Sequence, residues 1–510
     1  MKLPEANRTF IFWASFVALV TTAFAFMLRV QLLEVWEAEF NLDKTQIGII
    51  LGAGFWPFGV SIVVFSLIID RVGYRASFVF AFLCFVAFAL MSIFAKGFEM
   101  LYWASILGGL GAGAVEAAIN PLIATLYKEK KTKWLNILHA GWPGGLVVTG
   151  VVVLGLGDTI SWQWKIALIL IPAIIFMLMI LSTKLPVNER VTAGVSYRGM
   201  LAEVGWAGAF IVSLLIVMEL TTNVIDIEWM KVIWAQLGIA AIIAIIYGMY
   251  CRAFGRPLFV FLLILMLLLA TTELGTDAWV KDLLKPAIKA GIGIDSGWVL
   301  VYTAAIMMTL RFLAGPFVQT LKPLGILALS AALATVGILW LSVLGSDVEP
   351  TAIIIIVAAT IYAIGQTFFW PTTLGVVAER FPRGGAMTIN VIAGVGMLGV
   401  GILGNPWLGN VQDRTVVATL QANAPTMAAE YISEPKDSLF GQYQSLNKGA
   451  NVPANEHREL IATAQREGKS AALRYVAILP AIMFVSYIAM IIGFRMRGGY
   501  KTVTLEADTT

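Results

Sequence analysis

Long apolar segments alternate with short polar ones along almost the whole chain. Most of the apolar segments are roughly 18–25 residues long, the length that a helix needs to cross about 30 Å of hydrocarbon. The pattern predicts fourteen membrane helices, grouped as six, two and six. These helices are predicted at about 10–33, 45–69, 76–96, 100–126, 134–156, 162–184, 205–222, 231–251, 258–281, 297–319, 322–344, 351–378, 385–409 and 474–495. The first is too long for a secretory signal and lacks a small-residue cleavage site, which indicates a true membrane helix.

The composition supports a membrane protein and excludes other classes. Hydrophobic residues make up 59% of the chain and charged residues 13%, whereas soluble domains have about 45–50% and about 25%. A soluble enzyme, a nucleic-acid-binding protein and a disordered protein are therefore excluded. The net charge of +4 is too small to indicate a polyanionic partner. The two cysteines, Cys84 and Cys251, have no metal-ligand spacing, and we expect neither a metal nor another cofactor.

The distribution of lysine and arginine predicts the orientation. The short loops on the side of the N-terminus carry more than twice as many of these residues as the loops on the other side. Because positively charged loops face the cytoplasm, both termini are predicted to be cytoplasmic, and we expect a bacterial inner-membrane location. The long outer loop at about 410–473 is predicted to be a solvated cap, with a gate or partner-docking element as the alternative. Its last part, about 455–473, has a composition that can extend the final helix outward.

A repeated spacing relates the two ends of the chain. Two prolines lie about 250 residues apart, each with a polar residue five positions before it and a glutamate eight positions after it. The two sets are Glu116, Pro121 and Glu129, and Gln366, Pro371 and Glu379. Parallel repeats joined by a central connection are typical of secondary transporters that bind substrate between the halves. We predict a six-helix bundle at 1–190, an inserted two-helix hairpin at 200–252 and a second six-helix bundle at 256–510.

A charged motif follows the second predicted helix. The loop reads DRVGYR over residues 70–75, and it resembles the cytoplasmic signature of the major facilitator superfamily. Asp70 lies near a helix end, where it can pair with Arg71 or Arg75, and Gly73 permits a tight turn. Charged contacts of this kind hold one conformation and break when a helix bundle tilts. We therefore predict that Asp70, Arg71, Gly73 and Arg75 form a conformational latch.

A second resemblance lies in the fourth and fifth predicted helices. Gly109 and Gly111 precede Glu116 and Asn120-Pro121, and LNILH follows at residues 135–139. These residues resemble the L-fucose permease branch of the superfamily, and Trp279, Arg311-Phe312 and Pro371-Thr372 fit the same branch. The resemblance implies an all-α membrane fold of two six-helix bundles. It also implies a monosaccharide transporter that couples to protons by alternating access. The predicted hairpin and the long outer loop are not part of it.

Polar side chains inside the apolar segments are the candidate site. Glu116 and Asn120 share one helix face, as do Glu273 and Asp277, because residues four apart are neighbours on a helix. A carboxylate within the membrane is costly and usually functional, so Glu116, Glu273 and Asp277 are the candidates for proton coupling. Glu273 and Asp277 can alternatively bind Na⁺. The predicted substrate-binding residues are Glu116, Asn120, His139, Glu273, Asp277, Trp279, Gln366, Trp370 and Asn390.

Two arginines in apolar segments need an explanation. The first helix of the L-fucose permease branch carries a proton-titrating aspartate, whereas this chain has Arg29 in its first helix. Arginine does not deprotonate in proteins, so Arg29 either neutralises an internal acid or binds an anionic substrate. Arg311 requires an acidic or carbonyl partner, and we predict that it is a structural charge.

The sequence therefore predicts a proton-coupled transporter of a small polar solute, in particular a monosaccharide or a close derivative. An organic-anion or peptide carrier, a fourteen-helix drug exporter and a non-transporting membrane sensor are the alternatives. The chain has no Walker loop, zincin motif or nucleophile elbow, which argues against an enzyme and against ATP as the energy source. We expect a monomer whose partners are the substrate and the bilayer, without nucleic acid.

Overall fold

The computed structural model describes residues 5–42, 49–225, 227–277, 297–344, 352–425, 428, 431–435, 439–446 and 455–505. Regular structure in these ranges is helical, apart from an isolated antiparallel bridge between Ile432 and Leu446. The first part contains α1 (Glu5–Glu39), α2 (Trp56–Ile93), α3 (Phe98–Leu126), α4 (Lys131–Leu138), α5 (Gly141–Leu156), α6 (Trp162–Ala167), α7 (Leu170–Leu181) and α8 (Glu189–Thr192). The middle part contains α9 (Tyr197–Glu219), α10 (Glu228–Lys231) and α11 (Ile233–Cys251). The last part contains α12 (Pro257–Ala270), α13 (Gly297–Phe312), α14 (Ala314–Leu344), α15 (Ala352–Gln366), α16 (Phe369–Arg380), α17 (Gly385–Gly399), α18 (Asn405–Asn423), α19 (Asn455–Val476) and α20 (Ile478–Met496).

Within the described residues, the apolar segments predicted from the sequence form helices. In hydrocarbon every backbone polar group needs an internal partner, and a helix provides one within the same segment. Twelve helices in the described ranges are long and apolar enough to cross a membrane, and Gly297–Phe312 is a shorter apolar helix. The prediction of an all-α, multi-pass membrane protein is therefore confirmed.

Three of the long helices are interrupted by a single residue with a positive φ, and in α9 this residue is Gly205, with φ 63° and ψ −176°. In α2 this residue is Gly73, with φ 81° and ψ 158°. In α14 it is Lys322, with φ 58° and ψ 161°. Glycine adopts this conformation without a steric penalty, whereas a lysine there is strained. The breaks in α2 and α14 have similar backbone conformations and lie 249 residues apart, close to the 250 residues that separate the repeated prolines.

Helices from the two ends of the chain pack against each other around the centre of the molecule. Helix α2 contacts α17, α5 contacts α13, and α4 contacts α16. Helices α9 and α11 pack mainly against each other, and α9 also contacts α12 and α17. The interface between the first and last parts of the chain therefore runs through the molecule, and it is where the predicted site residues lie.

One end of the molecule, called the terminal end below, holds both ends of the described chain. Arg8 near the start of α1 donates from Nη2 to the carbonyl of Leu126, at 2.7 Å. After α20 the chain folds back, and the amide of Val503 donates to the carbonyl of Glu379 at 2.9 Å. At the opposite end α18 packs against α19, which runs almost directly into α20. The predicted outward extension of the final helix is therefore present.

Candidate functional site

A cavity lies between the two halves near the middle of the helices. It contains about 630 Å³ of space that atoms do not fill, including space that is open to solvent. Both halves contribute side chains, as the predicted repeat requires. The cavity is lined by Thr22, Ala25, Phe26, Arg29, Gly54, Phe55, Phe58, Ala112, Glu116, His139, Trp142, Glu273, Leu274, Arg311, Trp370 and Met397. Glu116, His139, Glu273 and Trp370 of the predicted substrate-binding set are therefore brought together.

A short polar chain forms the wall that the first half contributes. Asn120 donates from Nδ2 to Oε2 of Glu116 at 2.5 Å, and its Oδ1 lies 2.9 Å from Nε2 of His139. All three side chains are buried. The Nε2 atom of His139 is 4.0 Å from the Glu116 carboxylate, and no lysine or arginine among the described residues lies closer to it. Glu116 thus carries its charge without a basic partner, and taking up a proton removes that charge.

An ion pair forms the opposite wall. Arg311 donates from Nη2 to Oε1 of Glu273 at 3.1 Å, and both side chains are buried. The same guanidinium donates to the carbonyl of Thr367 at 2.7 Å and to the carbonyl of His139 at 2.9 Å. The prediction that Arg311 has an acidic or carbonyl partner is borne out, because it has both kinds. Its bond to His139 also joins the two halves, and its charge is balanced by Glu273.

Arg29 is held differently from Arg311. It is buried in α1, where Nε donates to the carbonyl of Ala25 at 3.1 Å. Its Nη1 atom has no hydrogen-bond partner among the described residues. The guanidinium lies against Gly54, where an added Cβ atom would be 1.5 Å from Nη1. Arg29 therefore lines the cavity as a buried charge with no acidic partner among the described residues and with one unpaired donor against Gly54, and it does not pair with Glu273.

The other predicted site residues lie beside the cavity or apart from it. Gln366 donates to Oδ1 of Asp277 at 3.1 Å, and the hydroxyl of Tyr362 donates to the same oxygen at 3.3 Å. Asn390 donates to the carbonyl of Ala117 at 3.0 Å and is not among the lining residues. Trp279 lies outside the described residues. Asn120 does not line the cavity and is connected to it through its hydrogen bonds with Glu116 and His139.

Contacts between the halves separate the cavity from the terminal end. The carboxylate Oε1 of Glu379 accepts hydrogen bonds from Oγ1 and the amide of Thr132, at 2.5 and 3.3 Å. Closer to the cavity, Asn136 donates to Oγ1 of Thr372 at 3.1 Å. The second oxygen of Glu379 accepts from the hydroxyl of Tyr500 at 2.8 Å. We call Thr132, Asn136, Thr372 and Glu379 the terminal gate. Its residues join the two halves between the cavity and that end.

The residues of the predicted latch make contacts within the first half and to the start of α9. Asp70 pairs with Arg190 at 2.7 Å rather than with Arg71 or Arg75, so the predicted pairing was wrong. Arg75 donates to the carbonyl of Thr183 at 2.6 Å. Arg71 lies over the ring of Tyr197, 4.7 Å from its centroid. The sequence motif could not identify Arg190, because that residue lies in the separate helix α8, 120 positions further on.

Two groups of residues, at the cavity and at the terminal gate, were missed from the sequence. Trp142, Phe26 and Phe55 line the cavity, yet aromatic residues inside apolar segments are usually packing residues and carry no separate signal. The gate residue Glu379 did have a signal, because the repeated proline spacing singled it out. Its partner Thr132 is 247 residues away, and no local pattern relates the two.

The chain's family follows from a comparison with known sequences. The family profile of the Major Facilitator Superfamily matches residues 14–405, well over half of the chain. The protein belongs to the major facilitator superfamily. It is a multi-pass membrane transporter and not an enzyme.

Solved transporter structures share the fold. The proton:xylose symporter XylE from E. coli superposes with a TM-score of 0.61 at 13% identity, covering 95% of this chain and 97% of XylE. The human organic anion transporter MFSD10 gives 0.60 at 12% identity, covering 95% and 100%. The E. coli fucose:proton symporter FucP gives 0.52 at 12% identity, covering 92% and 98%. At these identities the likeness concerns the fold alone, and it confirms the predicted major facilitator fold.

Two curated relatives match part of the chain. The MFS-type transporter ppz2 of Metarhizium majus (strain ARSEF 297) is 26% identical over 176 residues, 34% of this chain and 29% of that protein. The hexuronate transporter of Bacillus subtilis (strain 168) is 25% identical over 146 residues, 28% of this chain and 34% of that protein. The chain thus matches about a third of the length of each of these relatives.

Proposed function

We propose that the protein transports a monosaccharide derivative that bears a carboxylate, a sugar acid, in symport with protons by alternating access. The observation that carries this proposal is Arg29, a buried guanidinium that lines the cavity with Nη1 unpartnered among the described residues. A planar guanidinium matches the geometry of a carboxylate and binds it through two parallel hydrogen bonds. A neutral sugar leaves this charge without a counter-ion.

The charges around the cavity support coupling to protons. Four charged side chains line it, namely Arg29, Glu116, Glu273 and Arg311. With both glutamates ionised these charges sum to zero, so an incoming anion adds an uncompensated negative charge in a region of low dielectric. A proton on Glu116 restores the balance. Substrate and proton therefore enter together, and Glu116 is the proposed proton carrier.

The rest of the cavity suits a sugar ring. Glu116 and His139 offer polar atoms to hydroxyl groups, and Trp370 offers an aromatic face to the apolar side of a pyranose. Among the similar proteins, the B. subtilis relative is a hexuronate transporter and MFSD10 is an organic anion transporter. The neutral monosaccharide is the second candidate, favoured by the Glu116–Asn120–His139 hydrogen bonds and by the fold shared with XylE and FucP.

Counterflow in proteoliposomes tests the substrate class. We expect saturable counterflow of a hexuronate and little or none of the matching neutral hexose. Replacing Arg29 by Gln should raise the KM for the acid roughly 10- to 150-fold, because hydrogen bonds to charged groups contribute about 1.5–3 kcal/mol. Arg29→Lys keeps the charge and should lose less. If the neutral hexose exchanged and the acid did not, the second candidate would replace the first.

A second experiment tests the role of Glu116. Glu116→Gln should abolish uptake driven by a proton gradient and spare exchange of substrate between the two sides. The isosteric amide keeps the hydrogen bonds to the substrate and cannot take up the proton. Gradient-driven uptake that survived this substitution would refute Glu116 as the proton carrier. A sodium gradient run in parallel distinguishes Na⁺ coupling from H⁺ coupling.

We also propose that the chain crosses the membrane fourteen times as a monomer, with bundles at 1–190 and 256–510 and an inserted hairpin at 200–252. The helical stretch Ile49–Ile93 has 45 residues, about twice the length that one crossing needs. Division of this stretch at Gly73 gives two crossings instead of one, and the shorter helix Gly297–Phe312 gives one more. The twelve long helices thereby become fourteen crossings. Reporter fusions at both termini and in the hairpin loop test the count. Both termini are expected in the cytoplasm of a bacterial cell.

A further inference from the structure

A second cavity opens at the terminal end, away from the central site. It contains about 1150 Å³ of unfilled space between the start of α12, the end of α16 and the end of α20. The residues that line it are Glu203, Arg256, Pro257, Leu258, Arg380, Phe381, Pro382, Arg383, Met490, Gly493, Phe494, Arg497 and Val503. We call this cavity the basic groove, because four of these residues are arginines and one is an acid.

The single acid of the basic groove is already neutralised. Glu203 accepts from Nη2 of Arg256 at 3.0 Å and from Nε of the same residue at 3.1 Å. The other three arginines, Arg380, Arg383 and Arg497, have no carboxylate partner within the described part of the chain. The groove therefore carries three positive charges that the described residues leave unbalanced.

One of these arginines is fixed in place by its neighbours. Arg380 donates from Nη1 to the carbonyl of Lys501 at 2.5 Å, and its guanidinium lies 5.0 Å from the ring centroid of Phe494 and 5.9 Å from that of Tyr500. Its buried Nε atom has no hydrogen-bond partner among the described residues. A guanidinium held in this way loses little freedom when it binds an anion, which favours binding.

The position of the groove relates its charges to the membrane surface. Arg256 directly precedes α12, Arg380 is the last residue of α16, and Arg497 directly follows α20. All three helices are membrane helices, so the arginines lie where these helices leave the hydrocarbon. Leu258, Met490 and Phe494 line the adjoining part of the groove within the helices. The cavity thus has a basic rim at the helix ends and an apolar wall further along the same helices.

We propose that the basic groove binds the phosphate of an anionic phospholipid, with one acyl chain along the apolar wall. Clusters of basic residues at the cytoplasmic surface attract anionic headgroups, at about 1 kcal/mol for each lysine or arginine. The arginine rim would also bind free phosphate, and the apolar wall is what favours the lipid. This site is separate from the central cavity and does not depend on which substrate the protein transports.

Lipid titrations of the purified full chain in detergent, followed by native mass spectrometry, test the proposal. We expect phosphatidylglycerol to bind at least tenfold more tightly than phosphatidylcholine. The double substitution Arg383→Gln and Arg497→Gln should weaken phosphatidylglycerol binding roughly 25-fold, about fivefold for each charge. The matched control Lys184→Gln with Arg198→Gln removes two exposed charges outside the groove, and it should change binding less than twofold.

A second variant tests the acyl-chain wall without altering any charge. Gly493 lines the groove and an added Cβ atom there meets nothing within 4 Å, so Gly493→Leu introduces an apolar side chain without a clash at Cβ. It should abolish the tight binding of phosphatidylglycerol in protein that elutes as a folded monodisperse species. Inorganic phosphate at about 10 mM should leave lipid binding unchanged. Effective competition by phosphate would overturn the lipid proposal, and so would unchanged binding in either variant.

Discussion

The terminal gate predicts that one carboxylate holds the cavity closed toward the end that carries both termini. Glu379 belongs to the second half of the chain, and its Oε1 atom accepts two hydrogen bonds from Thr132 of the first half. Replacing Glu379 by alanine removes both bonds. The equilibrium should therefore shift toward the conformation in which the terminal end is open.

The size of the shift follows from the contacts that are lost. A hydrogen bond to a charged group contributes about 1.5–3 kcal/mol. The bond from the Thr132 hydroxyl is short, at 2.5 Å, and the bond from its amide is long, at 3.3 Å. Since both bonds come from one residue, we count them together as about 3 kcal/mol. This corresponds to a roughly 150-fold change in the ratio of open to closed molecules.

Cysteine accessibility measures this shift. The native Cys84 and Cys251 are buried and would be replaced by alanine. A single cysteine at the buried position of Ala378, next to the gate, then reports opening. In membrane vesicles with the terminal end outward, Glu379→Ala should raise the rate of labelling by an impermeant maleimide roughly 100-fold. A rise of less than threefold, in protein that is still folded, would refute the role of this contact.

Two further variants separate the gate contact from its surroundings. Tyr500→Phe removes only the hydrogen bond to the second oxygen of Glu379 and leaves Thr132 in place. It should raise the labelling rate less than fivefold. Glu99→Ala removes an exposed carboxylate at the opposite end of the molecule and should leave the rate unchanged.

Two other predictions concern backbone positions. Lys322→Gly should raise the free energy of unfolding by about 1 kcal/mol, because it relieves the strain of a lysine at positive φ. Gly73→Ala should lower the free energy of unfolding, because alanine is strained at positive φ. Thermal unfolding measures both changes. Gly54→Ala should displace the guanidinium of Arg29 and abolish counterflow of the acid with little loss of folded protein. The control Gly52→Ala should transport normally, because a Cβ atom added at Gly52 meets nothing within 4 Å. Normal transport by Gly54→Ala would contradict the proposed position of Arg29, and a Lys322→Gly protein no more stable than the parent would contradict the strain.

The sequence predicted the features that depend on one segment at a time. An apolar segment of membrane length folds as a helix whatever lies beside it, so the all-α fold was predictable. Glu116 and Glu273 were identifiable because a carboxylate in such a segment is costly to bury. Gly73 was a predictable turn, but the similar break at Lys322 was not, because lysine gives no signal for a positive φ.

Pairings between distant segments could not be predicted from the sequence. Asp70 was expected to pair with a near neighbour, yet its partner is Arg190, which the packing of separate helices brings to it. Arg311 was recognised as needing a partner, but only the fold selects Glu273 for it and leaves Arg29 free to face the cavity. A single sequence shows which charged residues are costly to bury, and the three-dimensional packing decides which partners compensate their charges.

The repeated prolines, Pro121 and Pro371, relate the two halves by a register of 250 residues, and the breaks at Gly73 and Lys322 lie close to it, 249 residues apart. In that register, about 250 residues apart, each charged residue of the cavity corresponds to an uncharged one in the other half. Glu116 corresponds to Gln366, for example, and Arg311 to Ser61. The charges of the cavity are therefore distributed asymmetrically between the two halves. A substrate held by these charges interacts differently with each half when the halves exchange roles during the transport cycle.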